Sequence, residues 1–241
     1  MVFGLGFVFL GIGSGSNGIT NALQDAFHFG NNSSTGPSIS SLESKTQKHP
    51  YDAQAWRDLA TAYETKQRTD DAITALSQYV VLKPKDTDAL SELAGQYNTQ
   101  AQNYATQYTN LQQQIETQTP ASQVFAPAST TPLGKAFSNP DALQDPISNA
   151  VQTLLQTQES TAYSSYTQAL SQAESTYQKL VKVTPNDPNA QIQLGQAAQN
   201  AQDTAVAIAA YTKFLKLAPH DPLAGQVKAQ LKTLKASSKS K

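Results

Sequence analysis

Between residues 53 and 84, large apolar and small residues recur at steps of three and four: Trp56, Leu59, Ala60 and Tyr63, then Ala72 and Leu76, with Pro84 closing the stretch. Such spacing predicts helices with one apolar face. The small Ala60 and Ala72 let two antiparallel helices approach. Trp56, Leu59, Tyr63 and Leu76 fill the seam between them, and Pro84 ends the second helix and sets the turn to the next unit. The unit repeats: Pro50 and Pro84 lie 34 residues apart, and so do Pro185 and Pro219. Residues 188–221 keep Leu194, Gly195, Ala207, Tyr211 and Pro219 in phase, with Gln191 and Ala198 where the first unit has Trp56 and Tyr63. Asp187-Pro188 and Asp221-Pro222 each place a capping carboxylate before a proline in a first helical turn.

A third unit lies between these two and is interrupted. Leu90, Leu93, Ala94 and Tyr97 open it in phase, and Ala173, Tyr177 and Pro185 close it, but residues 87–187 exceed one repeat by an insertion over 101–167. Running from the repeat into the insertion, Ala94, Tyr97, Ala101, Tyr104, Tyr108, Leu111 and Ile115 form a heptad seam on one helix from about Thr87 to Thr119. A return helix starting at Asp145-Pro146 carries Ile147, Val151 and Leu154, then Tyr163, Tyr166, Leu170, Ala173, Tyr177 and Leu180. The prediction is a long helical hairpin in which both helices of the repeat run past their neighbours by about 19 residues, or roughly 28 Å. Residues 120–144 read as an irregular, proline-bearing loop with a turn of helix after Asn139-Pro140. The tyrosines either serve packing between the two arms or form a docking or self-association surface.

The seven fixed positions Trp56, Leu59, Ala60, Tyr63, Ala72, Leu76 and Pro84 resemble the tetratricopeptide repeat. Ala60 stands where the family has glycine and Leu76 where it has phenylalanine. The resemblance implies an all-α fold: an α-solenoid of about three helix pairs plus a capping helix, here with a protruding hairpin. Its expected extent is 38–236, with repeats at 53–86, 87–187 and 188–221 and a cap at 222–236 carrying Leu223, Val227, Leu231 and Leu234. Residues 40–48 read as the second helix of a partial leading repeat, and 237–241 as a basic tail.

In this family the first helix of each repeat lines a concave groove that receives a peptide or a protein helix. That implication maps the groove to Gln54, Arg57, Thr61 and Glu64, then Asp88, Ser91, Gly95 and Asn98, then Asn189, Ile192, Gln196 and Gln199. Ile192 is the one large apolar member and either anchors a partner side chain or packs against a neighbouring helix. With Arg57 as the lone cation, the set does not suit a clamp for a peptide's terminal carboxylate.

Ahead of the repeats, residues 2–12 form an apolar, glycine-rich run followed by polar GSGSNG. Eleven helical residues span about half a bilayer core, and no basic residue precedes the run as in a signal peptide. The expectation is the outer end of a membrane anchor that begins upstream, with the solenoid extracytoplasmic; the alternative is a cytoplasmic protein with an apolar tail. Ile19, Leu23, Ala26 and Phe27 read as a short amphipathic helix within 1–29, and 30–37 as a linker.

Composition narrows the chemistry. A formal net charge of -1 and 15% charged residues give no general attraction to nucleic acid. With no cysteine there is neither a disulfide nor a thiolate. His28, His49 and His220 have no metal-ligand spacing, so neither a metal nor a cofactor is expected. Gly13, Gly15 and Gly18 spell a dinucleotide-type motif, but the βαβ context that gives it meaning is lacking. Asp70 and Asp71 read as cap and dipole partners of a helix start. Lys228, Lys232, Lys235, Lys239 and Lys241 either complement a helix dipole or touch an anionic surface. The expected function is a non-enzymatic scaffold or assembly factor that binds a protein or peptide partner through the groove. The alternative is a structural component acting through the hairpin.

Overall fold

The computed structural model describes residues 37–117, 130–132, 135 and 146–238, with backbone alone at 146–148. The chain divides into Met1–Pro37 and Ser38–Lys241. The apolar run, the amphipathic helix, the glycine motif, His28, nearly all of the linker, the turn after Asn139 and the last two lysines lie outside the described residues.

Eight helices are described: α1 Ile39–Lys48, α2 Ala53–Thr65, α3 Thr69–Leu82, α4 Thr87–Thr117, α5 Pro146–Val183, α6 Pro188–Asn200, α7 Thr204–Leu217 and α8 Ala224–Ser237. Each packs on the next in chain order, so the architecture is an α-solenoid. Helix starts follow the sequence chemistry: Ser38, Asp52, Asp187 and Asp203 each accept a first-turn backbone N–H, with Pro188 in the first turn of α6. Asp86 Oδ1 does the same for the Ala89 N–H at 3.0 Å.

Two expected caps differ. Asp70 and Asp71 sit in the first turn of α3, but the capping position is Arg68 and no side chain caps it. Asp71 instead pairs with Arg68 Nε at 2.7 Å, and Asp70 accepts from Gln100 Nε2 at 2.7 Å. Asp221 accepts from the Leu223 N–H at 2.8 Å, an Asx turn that postpones α8 to Ala224.

The seam of each pair is closed by the predicted residues. Leu59, Ala60, Tyr63, Ala72 and Leu76 are buried in one cluster with Leu42, Leu90, Leu93, Tyr177, Leu180 and Leu194. Trp56 is half-buried against it, its Nε1 donating to the Pro50 carbonyl at 2.9 Å. Pro84 and Pro219 are exposed at the turns. A second cluster joins Ile192, Ala198, Ala207, Tyr211, Phe214 and Val227. Gly195 is required by close approach, since a Cβ there would lie 2.4 Å from Tyr211 Cε1. Tyr211 is fully buried, and its hydroxyl donates to Gln199 Oε1 at 3.0 Å.

The middle pair is the long one. Helix α4 has 31 residues where α2 and α6 have 13, and the 18 extra add about 27 Å. Helix α5 has 38 where α3 and α7 have 14, and the 24 extra add about 36 Å. The arm's seam runs through small residues: Ala101, Ala162 and Ala169 are buried, with Leu111 and Leu170. Leu170, Ala173, Tyr177 and Leu180 of the return helix are buried in the expected phase. Its outer part differs: Tyr163, Val151 and Leu154 are exposed, because alanine at the line of closest approach lets the two helices pack tightly. The Tyr163 ring flanks the seam, 5.5 Å from that of Tyr108.

Candidate functional site

The first helices of the three pairs are α2, the early turns of α4, and α6. The groove positions expected from the sequence lie on these helices. Gln54, Thr61, Asp88, Asn189, Gln196 and Gln199 are exposed, while Arg57, Glu64, Ser91, Gly95 and Asn98 are half-buried. Ile192 is buried in the second cluster beside Tyr211 and Val227 and so leaves the groove surface. No Cβ contact would arise at Gly95 within 4 Å, so its groove face is open.

Two side chains that the sequence reading passed over, Glu92 and Gln96, stitch α4 to α2. Arg57 Nη2 meets Glu92 Oε2 at 2.6 Å, and Gln96 Nε2 donates to Glu64 Oε1 at 2.8 Å. The Arg57 guanidinium also lies 5.8 Å from the Tyr79 ring centroid, whose hydroxyl donates to Asp86 Oδ2 at 2.5 Å. The spacings of 35 and 32 residues bracket the 34-residue repeat, as expected for neighbouring copies of one helix lying side by side. That near-repeat spacing of opposite charges was the available sequence signal.

The cluster is electrostatically strained. Burial, and then the neighbouring Glu92 carboxylate, push the Glu64 carboxyl above its ordinary range, against the opposing effects of Gln96 and Arg57. The Glu92 hydrogen bond holds Arg57 firmly protonated. Arg57 Nη1 and Glu92 Oε1 are buried without hydrogen-bond partners, so the pair is held at one point rather than two. With Asp58 and Asp88 on the same helices, carboxylates outnumber the single guanidinium along α2 and α4. Such a floor favours amides, hydroxyls and cations over anions.

Among the described residues, no group of three or more His, Asp or Glu is placed to hold a metal. Among them, too, no helix is long and apolar enough to cross a membrane.

The tetratricopeptide repeat family model matches residues 40–87 and 167–222, the segments on either side of the arm. Those two segments are therefore tetratricopeptide repeats. Such repeats bind protein or peptide partners. No curated protein matches the chain. Similar solved structures include MamA, at 17% identity over 74% of this chain and 85% of that one, with a TM-score of 0.25. A thermophilic tetratricopeptide protein of Thermus thermophilus is 15% identical over 82% of this chain and 89% of its own, with a TM-score of 0.27. YrrB, described as having an unusual peptide-binding site, is 12% identical over 80% of this chain and all of its own (100%), with a TM-score of 0.24. At TM-scores this low the superpositions carry no argument about this chain.

Proposed function

We propose that the chain is a non-catalytic scaffold that holds a segment of a partner protein along the face made by α2, α4 and α6. The observation that carries this reading is the pair of side-chain links from α2 to α4, Arg57–Glu92 at 2.6 Å and Gln96–Glu64 at 2.8 Å. They fix the spacing of two groove helices before any partner arrives, which reduces the ordering cost of binding. Around them the exposed amides and hydroxyls of Gln54, Thr61, Asn189, Gln196 and Gln199 supply donors and acceptors suited to a peptide backbone and polar side chains. The surplus of carboxylates favours a partner segment with lysine or arginine. Tethering at a membrane through residues 2–12 is the accompanying proposal, resting on their apolar pattern.

Photo-crosslinking tests the groove. Benzoylphenylalanine at Thr61 or Gln196 should trap one protein in the native cell, while the same probe at the exposed Gln78 of α3 or Lys213 of α7 should not. Adducts formed only from α3 and α7 would refute it.

A second reading has its own observation. Leu154 is 56% and Tyr163 48% exposed on the arm, apolar groups that a second copy would cover if it docked there. Light scattering of the intact chain and of a chain lacking 101–167 decides it: a fall from dimer to monomer supports self-association, and identical masses exclude it.

A further inference from the structure

The last helix of the solenoid carries charge that neither the repeat seams nor the groove use. Of the chain's 17 Lys and Arg, five fall in residues 222–241, and of its 18 Asp and Glu none does. That stretch therefore holds a formal charge of +5 and the rest of the chain -6, a division that the net charge of -1 conceals. Three of the five lysines lie on α8, which packs on α7 through buried Ala224 and Val227 and half-buried Leu231 and Leu234. Lys228, Lys232 and Lys235 follow at steps of four and three, so they stand in one row about 10 Å long. All three are exposed, and among the described residues none pairs with a carboxylate. Helices α7 and α8 supply none, since neither contains Asp or Glu.

Two structural roles do not account for the row. A helix dipole favours cations within the last turn. Lys235 is there, but Lys232 stands one turn earlier and Lys228 two. The end of a solenoid needs a polar outer face to stay in solution, which amides or mixed charges provide without an excess of one sign.

We propose that the lysine row of α8 is a contact surface for membranes that contain anionic phospholipid. The choice of residue decides against other anions. The row holds no arginine, so it lacks the planar fork that grips one carboxylate or phosphate at two points. Helix α8 holds no aromatic ring on which a nucleic-acid base could stack. Three ammonium groups on flexible stems, in a straight row on a terminal helix, match instead a diffuse plane of negative charge. The apolar run at 2–12 is a second membrane signal in the same chain, and weak membrane signals hold in pairs. The row uses none of the groove positions, so either surface can fail alone.

The test is co-sedimentation of the full chain with vesicles of phosphatidylcholine alone and of phosphatidylcholine with one-quarter phosphatidylglycerol, at low salt. Each lysine near an anionic surface is worth about fivefold in partitioning. The ratio of the two partition coefficients should therefore fall at least tenfold in a Lys228→Gln/Lys232→Gln/Lys235→Gln variant, and it should fall for the parent when salt is raised. Binding to phosphatidylcholine alone, which reads the apolar run, should stay unchanged. Glutamine is as good a helix former as lysine, so the variant keeps α8, and its circular dichroism spectrum checks this. Lys48→Gln/Lys66→Gln/Lys83→Gln removes the same charge from exposed positions elsewhere and should change the ratio less than twofold. An equal ratio in the α8 variant and the parent, or an equal loss in the control variant, would overturn the proposal. So would a parent that shows no preference for phosphatidylglycerol; shifts of the α8 amides by acetyl-pentaglutamate amide in NMR would then assign the row to an acidic protein segment.

Discussion

Gly195 offers a sharp test of how the solenoid is packed. A methyl group there would stand 2.4 Å from Tyr211 Cε1, 2.5 Å from Cδ1 and 3.0 Å from Cζ, where ordinary carbon contacts need about 3.5–4.0 Å. The ring has little room to retreat, because Tyr211 is 0% and Phe214 1% exposed, and the hydroxyl is tied to Gln199. Overpacking of a dense core costs about 1–3 kcal/mol, and an overlap this deep belongs at the upper end. Alanine returns up to about 1 kcal/mol of helix propensity. Gly195→Ala should therefore lose about 2 kcal/mol net. Gly95→Ala is the matched control, since nothing lies within 4 Å of its added methyl, and it should gain about 0.5–1 kcal/mol. Urea unfolding followed by circular dichroism measures both. Trp56, the single tryptophan, reports separately on the first repeat, which matters because repeat arrays do not always unfold in one step. Tyr211→Leu should cost less in the Gly195→Ala background than alone, since the two groups share one space. If Gly195→Ala proves as stable as the parent, the close approach of α6 and α7 is wrong.

Other outcomes follow from the same geometry. Glu64 has a raised folded-state pKa, so its contribution to stability is full below the unfolded value and is lost as pH rises through the folded one. Glu64→Gln should thus raise Tm at pH 7, and the gain should fade towards about pH 4, near the ordinary glutamate value. Asp187→Ala removes the α6 cap and should cost about 1 kcal/mol, while Asp187→Asn should be close to neutral by thermal melting. In the arm, Ala162→Leu should cost about 1–3 kcal/mol by overpacking. Tyr163→Ala, at a residue 48% exposed, should cost less than about 1 kcal/mol; the reverse order in urea midpoints would restore tyrosine to the seam.

The solenoid was legible because its apolar and small positions obey fixed offsets: Trp56, Leu59, Ala60 and Tyr63 can satisfy the spacing only as one helix face. The cap at Asp187 acts through neighbouring atoms in the chain, so local chemistry decides it. The arm's phase was less legible. Bulky tyrosines draw attention as core formers, yet Tyr163 keeps its hydroxyl wet while Ala162 closes the seam. Seven-residue spacing alone does not say which of two adjacent columns faces the partner helix. The groove positions could be mapped by register, but Ile192 turned inward because Val227 and Tyr211 offer it an apolar pocket. The links from Glu92 to Arg57 and from Gln96 to Glu64 join repeats. Those are tertiary facts that only a near-repeat spacing hints at.

The most direct test of the scaffold reading is the affinity of the crosslinked partner for three purified chains: the parent, the 101–167 deletion and Gln196→Lys/Thr61→Lys, measured by calorimetry. The account predicts that the deletion binds within about twofold of the parent and the groove variant at least tenfold more weakly, a loss of about 1.4 kcal/mol or more. Binding lost with the arm and untouched by the groove substitutions would contradict it.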